Sequence, residues 1–174
     1  MHLRQEQFEQ FAMPHTHALL RTAGRLCGDR AAAEDLVQEA MLSAWKNFEQ
    51  FEPGTNCKAW LFTIMLRLWG RQQQRFAGRP ELLVYDEAYE HGVAATSEDR
   101  MIAAEVLTAV DRLAHEQRSV LLLSVVEGFA VKEIAAMLSI PMGTVMSRLS
   151  RARAALRQSL RPGSIQYRDG GKQQ

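Results

Sequence analysis

The stretch VKEIAAMLSIPMGTVMSRLSRARAAL, residues 131–156, decides the fold of the C-terminal part of this sequence. It predicts a short helix over Val131–Leu138, a turn over 139–143 that contains Pro141 and Gly143, and a longer helix from about residue 144 to 160. Two helices joined by a short turn with a glycine, the second helix basic, form the layout of a helix-turn-helix.

The second helix of this pair has one apolar stripe and one basic face. At about 100° per residue, the stripe consists of Val145, Leu149, Ala152 and Leu156. Small side chains lie opposite the stripe, where they would let the helix approach the floor of the major groove. Arg151, beside this apex, could bind a guanine edge through two hydrogen bonds. The pattern therefore favours DNA binding, with a solvated basic helix as the alternative.

Charge is distributed unevenly along the 174 residues, although the net charge is only +1. Residues 1–76 carry nine Lys and Arg against eight Asp and Glu, a balance of +1. Residues 77–130 carry four against ten (−6), and residues 131–174 carry eight against two (+6). A basic end after an acidic middle indicates that the C-terminal part meets a polyanion.

The rest of the chain also predicts helices, so the expected fold is all-α. Apolar spacings of three and four dominate, and strand-type alternation is absent. We expect two small helical domains, over 6–76 and 100–160, joined by a linker over 77–99 and followed by a disordered tail over 161–174. Helices are predicted over about 6–27, 30–47, 55–75, 101–113 and 116–127.

Local signals place the ends of these helices and their inward residues. Pro14 should interrupt the first helix, Gly28 should end it, and Asp29 should cap the second. Thr55 or Asn56 should cap the third. The apolar residues expected to point inward on the third helix are Trp60, Leu61, Ile64, Met65 and Leu68. Those expected inward on the fourth are Ile102, Val106, Val110 and Leu113.

Two segments carry a resemblance to a known family. GTVMSRLSRAR, residues 143–153, resembles the recognition helix of region 4 in extracytoplasmic-function (ECF) sigma factors of the sigma-70 family. AEDLVQE, residues 33–39, and FEPGTNCKAWLFTI, residues 51–64, are similar to region 2 of the same family, and their wording looks closest to the general-stress branch. The resemblance covers about residues 8–76 and 100–160 in the right order.

The resemblance implies a sigma factor that directs RNA polymerase to promoters. The implied partners are core RNA polymerase, at its largest-subunit clamp and its flap region, promoter DNA, and an anti-sigma factor. The implied polymerase-binding residues are Asp35, Gln38 and Glu39, for which a solvated helix face is the alternative. The implied contacts to the −35 element are Thr144, Ser147, Arg148, Ser150, Arg151, Arg153 and Arg157.

The loop over 52–57 corresponds to the family's loop that captures a flipped base of the −10 element. Extruding a base costs a few kcal/mol, and a Pro-Gly loop next to Phe51 and Trp60 could form the pocket, although a plain connector is the alternative. We expect Trp60 itself in the core. The implied −10 residues are Glu52, Gly54, Thr55, Asn56, Lys58, Arg67 and Arg71. Arg67 stands where the family commonly has Asn, and Met146 stands where Lys or Arg is usual, so the promoter sequence stays open.

Other classes of function are disfavoured. The sequence has no phosphate-binding glycine loop, HExxH or nucleophile elbow, so we expect no catalytic residue and no cofactor. His15 and His17 point about 200° apart on a helix, which argues against a metal site. Cys27 and Cys57 are either small core residues or a redox pair. With no secretory signal or long apolar run, a cytoplasmic protein is expected.

Two alternatives compete with the sigma factor. One is a helix-turn-helix regulator that does not bind core polymerase; the other is a sigma mimic that titrates an anti-sigma factor. The N-terminal segments disfavour the first, and the basic recognition helix disfavours the second.

Overall fold

The computed structural model describes residues 2–76 and 97–160, and within these ranges every regular element is a helix. The predicted linker lies outside the described residues except for its last three, which already belong to a helix, and the predicted tail lies outside them entirely. The α-helices are α1 (His2–Phe11), α2 (Thr16–Cys27), α3 (Arg30–Lys46), α4 (Cys57–Phe76), α5 (Ser97–Asp111), α6 (His115–Leu121), α7 (Val131–Leu138) and α8 (Met142–Ser159).

The predicted helix ends of the first half are confirmed. Pro14 lies in a short 3-10 turn that separates α1 from α2. Gly28 ends α2 in the left-handed conformation (φ 71°), where a side chain would be strained. The Asp29 carboxylate caps α3 by accepting from the Ala32 N–H at 2.6 Å, and Asn56 caps α4 by accepting from the Ala59 N–H at 3.0 Å.

Helices α1–α4, which we call the N-terminal unit, enclose a core of apolar side chains. Leu19 and Ala23 of α2 and Leu36 of α3 are fully buried, and α3 packs on both α2 and α4. Phe48 and Phe51, in the connection after α3, are buried. Phe48 stands at 80° to the ring of Phe8, with 5.2 Å between centroids. This edge-to-face geometry is the favourable one for aromatic pairs.

Helices α5–α8 form the C-terminal unit. The inward stripe predicted for α5 is confirmed at two of its four residues and wrong at the other two. Val110 and Leu113 are buried as predicted. Ile102 and Val106 are 53% and 36% exposed. Among the described residues, α5 packs on α8, and burial on α5 begins only at Ala109. The first turns of α5 therefore present an apolar stripe that no described element covers.

The predicted helix-turn-helix is confirmed as α7, a tight turn and α8. Ser139 ends α7 with φ 54°, and the Ile140 N–H bonds the Ala135 carbonyl at 3.0 Å, which closes the turn. Pro141 precedes the first residue of α8, so the helix begins two residues earlier than predicted. Ahead of α7, α6 continues into a π-helical turn (Leu122–Val126), and Gly128 then adopts φ 76°.

The two units pack on each other through a second face of α4. Phe62, Leu66 and Trp69 are buried, although the sequence pattern placed only the opposite stripe inward. The Phe62 ring meets Phe129 edge-to-face at 5.2 Å, and α4 packs against α7. In this structure α4 thus packs on α3 with one face and on the C-terminal unit with another.

Candidate nucleic-acid interface

Helix α8 holds its apolar stripe in the core and its basic face outward. Val145 and Ala152 are fully buried and Leu149 is 5% exposed, which confirms the predicted stripe; Leu156 is half-buried. The predicted −35 residues Ser147, Ser150, Arg151, Arg153 and Arg157 are exposed, while Thr144 and Arg148 are half-buried. This exposed row is long enough to follow a groove, because 18 residues of helix rise about 27 Å.

Two methionines interrupt this basic face. Met142 and Met146, one turn apart near the start of α8, are 50% and 60% exposed. In a recognition helix the N-terminal residues contact base edges. An apolar side chain there can contact the methyl group of thymine.

The connection between α3 and α4 carries the predicted −10 loop. Glu52, Gly54, Thr55 and Asn56 are all exposed. The Thr55 hydroxyl donates to the Glu52 carbonyl at 2.7 Å, and the Thr55 N–H bonds the same oxygen at 3.1 Å. Gly54 has φ 95°, which favours glycine at the tip of this tight turn.

An aromatic cavity of about 430 Å³ opens beside this loop. Its wall includes Phe11, Phe48, Phe51 and Pro53. Its size falls in the range of small-molecule pockets. Phe48 and Phe51 are only 7% and 6% exposed, so the accessible wall is Phe11 and Pro53 with the polar groups of Arg4, Gln7 and Glu49. Trp60 does not line it. It packs against Phe51 at 5.3 Å and belongs to the core edge, as predicted.

Two of the predicted −10 residues are engaged by the C-terminal unit. The Asn56 amide donates to Glu133 Oε1 at 3.1 Å. Lys58 Nζ lies 2.9 Å from Glu127 Oε2 and also donates to the Glu127 carbonyl at 2.9 Å. The Lys58 ammonium stands over the Phe129 ring, 5.0 Å from its centroid. The basic and polar groups nearest the loop therefore meet carboxylates in this structure.

Glu127 is a buried carboxylate that the N-terminal unit surrounds. Its side chain is fully buried. Oε1 accepts from Arg21 at 2.8 Å and from the Thr22 hydroxyl at 2.8 Å. Burial alone would raise the pKa of Glu127, but the hydrogen bonds from Lys58, Thr22 and Arg21 outweigh it and hold the pKa below its ordinary value. The group is therefore charged at neutral pH.

Further contacts tie the same surfaces together. Arg118 is 4% exposed and donates to the carbonyls of Asp111 and of Arg25, which belong to different units. Trp69 and His115 meet with ring centroids 4.5 Å apart. None of these contacting residues was singled out from the sequence. A buried Arg or Glu gives no sequence signal beyond its polarity among apolar neighbours.

Arg67 and Arg71, the remaining predicted −10 residues, lie on the exposed side of α4 one turn apart. They line a cleft of about 420 Å³ between α4 and the end of α7, together with Gln74 and Ser139. The cleft is far enough along α4 that Arg67 lies three turns after the −10 loop. The structure thus separates the predicted −10 residues into a loop group and an α4 group.

A second exposed surface lies on α3. Asp35, Gln38 and Glu39 are all exposed on one face. Leu42, three residues after Glu39 and on the same face, is 59% exposed. Sequence patterning did not single out Leu42. Its signal was present, because it is a large apolar residue one turn after two polar positions that point away from the core.

The cysteines and histidines do not form a site within the described residues. Burial and the nearby Asp29 raise the pKa of Cys27 to about 11, and burial raises the pKa of Cys57, so both thiols stay protonated at neutral pH. No group of three or more His, Cys, Asp or Glu side chains that could hold a metal occurs in ranges 2–76 and 97–160. No helix among these residues is long and apolar enough to cross a membrane.

Comparison with known proteins gives two family matches in chain order. Residues 11–75 match the family model of Sigma-70 region 2, and residues 103–156 match that of Sigma-70, region 4. A relative, the ECF RNA polymerase sigma factor EcfG of Rhodopseudomonas palustris, is 33% identical over 149 residues, which span 84% of this chain and 78% of the relative.

Two solved structures have the same fold over most of the chain. One is the sigma factor RpoE in complex with the anti-sigma factor NepR from Bartonella quintana, with a TM-score of 0.76, 29% identity, and coverage of 89% of this chain and 97% of that one. The other is CnrH in complex with the cytosolic domain of CnrY, with a TM-score of 0.63, 28% identity and coverage of 88% and 87%.

Proposed function

The chain belongs to the ECF sigma factors of the sigma-70 family, and on that premise we propose which surfaces carry out each step of promoter recognition. A sigma factor binds core RNA polymerase and directs transcription initiation at promoters. The observation that carries the assignment is the exposed basic face of α8, opposite a fully buried stripe. The proposed domain limits are 6–76 for region 2 and 100–160 for region 4, with a linker and a tail around the latter.

Helix α8 reads the −35 element in the major groove. Arg151 contacts a guanine edge, whereas Arg153 and Arg157 bind phosphates on the flanks. Met146 replaces the usual basic residue with an apolar one, so we expect it to favour thymine at the base step it faces. The full proposed set remains Thr144, Ser147, Arg148, Ser150, Arg151, Arg153 and Arg157.

The loop after α3 and the exposed side of α4 read the melted −10 element. The aromatic cavity beside the loop takes one unstacked base, with Phe11 and Pro53 in its accessible wall. Asn56 and Lys58 meet the strand next to that base. Arg67 and Arg71 follow its backbone along α4, because an arginine in place of the family's asparagine suits phosphate better than a base edge. Glu52, Gly54 and Thr55 shape the loop.

The exposed face of α3 binds core polymerase. Asp35, Gln38 and Glu39 supply its polar contacts, and Leu42 adds an apolar anchor. Binding energy at interfaces concentrates in a few residues around such anchors. Nothing in this role requires a chemical step, so we propose no enzymatic activity, and we place the protein where the polymerase works, in the cytoplasm.

An anti-sigma factor is proposed as the regulator. This rests on two similar structures: RpoE in complex with the anti-sigma factor NepR, and CnrH in complex with the cytosolic domain of CnrY. We expect the general-stress branch, because the PGTN and AWLFTI segments resemble that branch.

The test is run-off transcription with core RNA polymerase on a promoter library, comparing the unmodified chain with an Asp35→Lys, Glu39→Lys double variant. The double variant should lose core binding and all specific transcripts, while circular dichroism shows an unchanged helix content. Glu116→Lys is the control, since it reverses an exposed acid in the other unit. Full core binding by the double variant would overturn the α3 assignment.

A further inference from the structure

Glu127 and Glu133, both in the C-terminal unit, hold groups of the N-terminal unit that the proposed function assigns to −10 DNA. Glu127 forms an ion pair with Lys58, and Glu133 accepts a hydrogen bond from Asn56. We propose that these two carboxylates form a clasp that closes region 4 onto region 2 and stands in for DNA. This inference rests on the proposed function, because it uses the assignment of Lys58 and Asn56 to the −10 strand.

The Glu127 carboxylate is buried where the two units meet. A buried charge needs partners, and the partners of Glu127 all come from the other unit: Arg21, Thr22 and Lys58. If the units separate, Glu127 returns to water and its three partners lose one shared acceptor. The three bonds of this carboxylate therefore exist only while the two units are packed together.

The groups that Glu127 and Glu133 engage are donors that DNA could also use. Lys58 offers an ammonium and Asn56 offers an amide donor, which are the groups that bind phosphate and base edges. A carboxylate accepts from the same donors. Glu133 Oε2 also bonds the Ala130 N–H at 2.9 Å, which fixes the carboxylate at the start of α7 while Oε1 receives Asn56. DNA and the clasp thus compete for the same donors.

The closed protein is also shorter than the distance between the two promoter elements. The −10 and −35 elements lie about 25 base pairs apart, which is about 85 Å at about 3.4 Å per base pair. A compact body of the 139 described residues, 75 in 2–76 and 64 in 97–160, has a radius of gyration of about 14 Å and hence a diameter of about 37 Å. With the clasp closed, the two units cannot reach both elements together. Opening must accompany promoter binding.

The experiment compares Glu127→Gln with the matched control Glu116→Gln, which removes the same charge from an exposed position of the C-terminal unit. Two measurements are made on the free full-length protein. Small-angle X-ray scattering gives the radius of gyration. Fluorescence anisotropy gives the affinity for a fluorescein-labelled single-stranded 12-mer of random sequence. The control corrects for the general gain in DNA affinity that follows from losing one negative charge.

We expect Glu127→Gln to raise the radius of gyration by at least a quarter and to tighten oligonucleotide binding at least fivefold beyond Glu116→Gln. An unchanged radius of gyration would overturn the clasp. A larger radius with unchanged affinity would retain the closure by Glu127 but overturn both the masking and the −10 assignment of Lys58 and Asn56. If Glu127→Gln fails to fold, Arg21→Gln removes one donor to the Glu127 carboxylate, and the Arg21 side chain is partly exposed. The radius of gyration and the oligonucleotide affinity of that variant then test the clasp.

Discussion

Replacing Thr22 by Val should open the protein without touching any proposed DNA or polymerase contact. Thr22 is 1% exposed, and its hydroxyl donates to Glu127 Oε1 at 2.8 Å. Val has nearly the same shape, so no cavity forms. The change removes one hydrogen bond to a charged acceptor across the boundary between the units.

The magnitude follows from that bond. A hydrogen bond to a charged group contributes about 1.5–3 kcal/mol to stability. Arg21 and Lys58 still satisfy the Glu127 carboxylate, so the low end applies, about 1.5 kcal/mol. Since about 1.4 kcal/mol corresponds to a tenfold change in an equilibrium constant, the ratio of open to closed protein should rise about tenfold.

Fluorescence energy transfer measures that ratio. Dyes are placed through Gln10→Cys in α1 and Gln158→Cys in α8, both exposed positions. Thr63→Val is the matched control, because the Thr63 hydroxyl bonds the Ala59 carbonyl at 2.8 Å within one helix. If the open form is rare, apparent affinity for the single-stranded oligonucleotide should rise by up to the same tenfold. Equal transfer efficiency and equal affinity in the Thr22 and Thr63 variants would refute the reasoning.

Two further predictions concern the helix-turn-helix. Arg151→Ala should lower discrimination at one base pair of the −35 element by about 1–3 kcal/mol. Arg153→Ala should weaken binding to all sequences and reduce the salt slope of log K by about 1, as binding titrations at several salt concentrations would show; the reverse pattern would exchange the two roles. Ser139→Gly should raise the free energy of unfolding by about 0.5–1 kcal/mol, because Ser139 has φ 54° and glycine adopts that conformation without strain. Urea denaturation measures this, and a loss of stability would contradict it.

The sequence predicted those features that depend on near neighbours. The break at Pro14, the end at Gly28 and the cap at Asp29 each involve groups within four residues, so local chemistry settles them. The buried stripe of α8 follows from helical spacing alone. The outward position of Arg151, Arg153 and Arg157 follows from the same spacing, because these arginines lie off the stripe.

The missed features depend on distant parts of the chain. Thr22 and Glu127 are 105 residues apart, and no local pattern indicates that an isolated Glu after an apolar helix meets a Thr of the second helix. The same holds for Phe62, which periodicity left off the inward stripe because it packs on Phe129 of the other unit. For Ile102 the error has the opposite sign. Its apolar spacing predicted burial, but the side chain is exposed because no described element covers it.

The closed arrangement affects the two proposed DNA-binding surfaces unequally, and this sets an order of events. The arginines at Arg151, Arg153 and Arg157 stay exposed with the clasp shut, so duplex DNA can meet α8 before the units separate. Lys58 and Asn56 are taken by carboxylates until they do. Contact of single-stranded −10 DNA with Lys58 and Asn56 therefore requires opening. Contact of that strand with Arg67 and Arg71, and of double-stranded −35 DNA with α8, does not. Raised salt should consequently weaken duplex binding through α8 while leaving the fully buried Glu127 carboxylate comparatively unscreened.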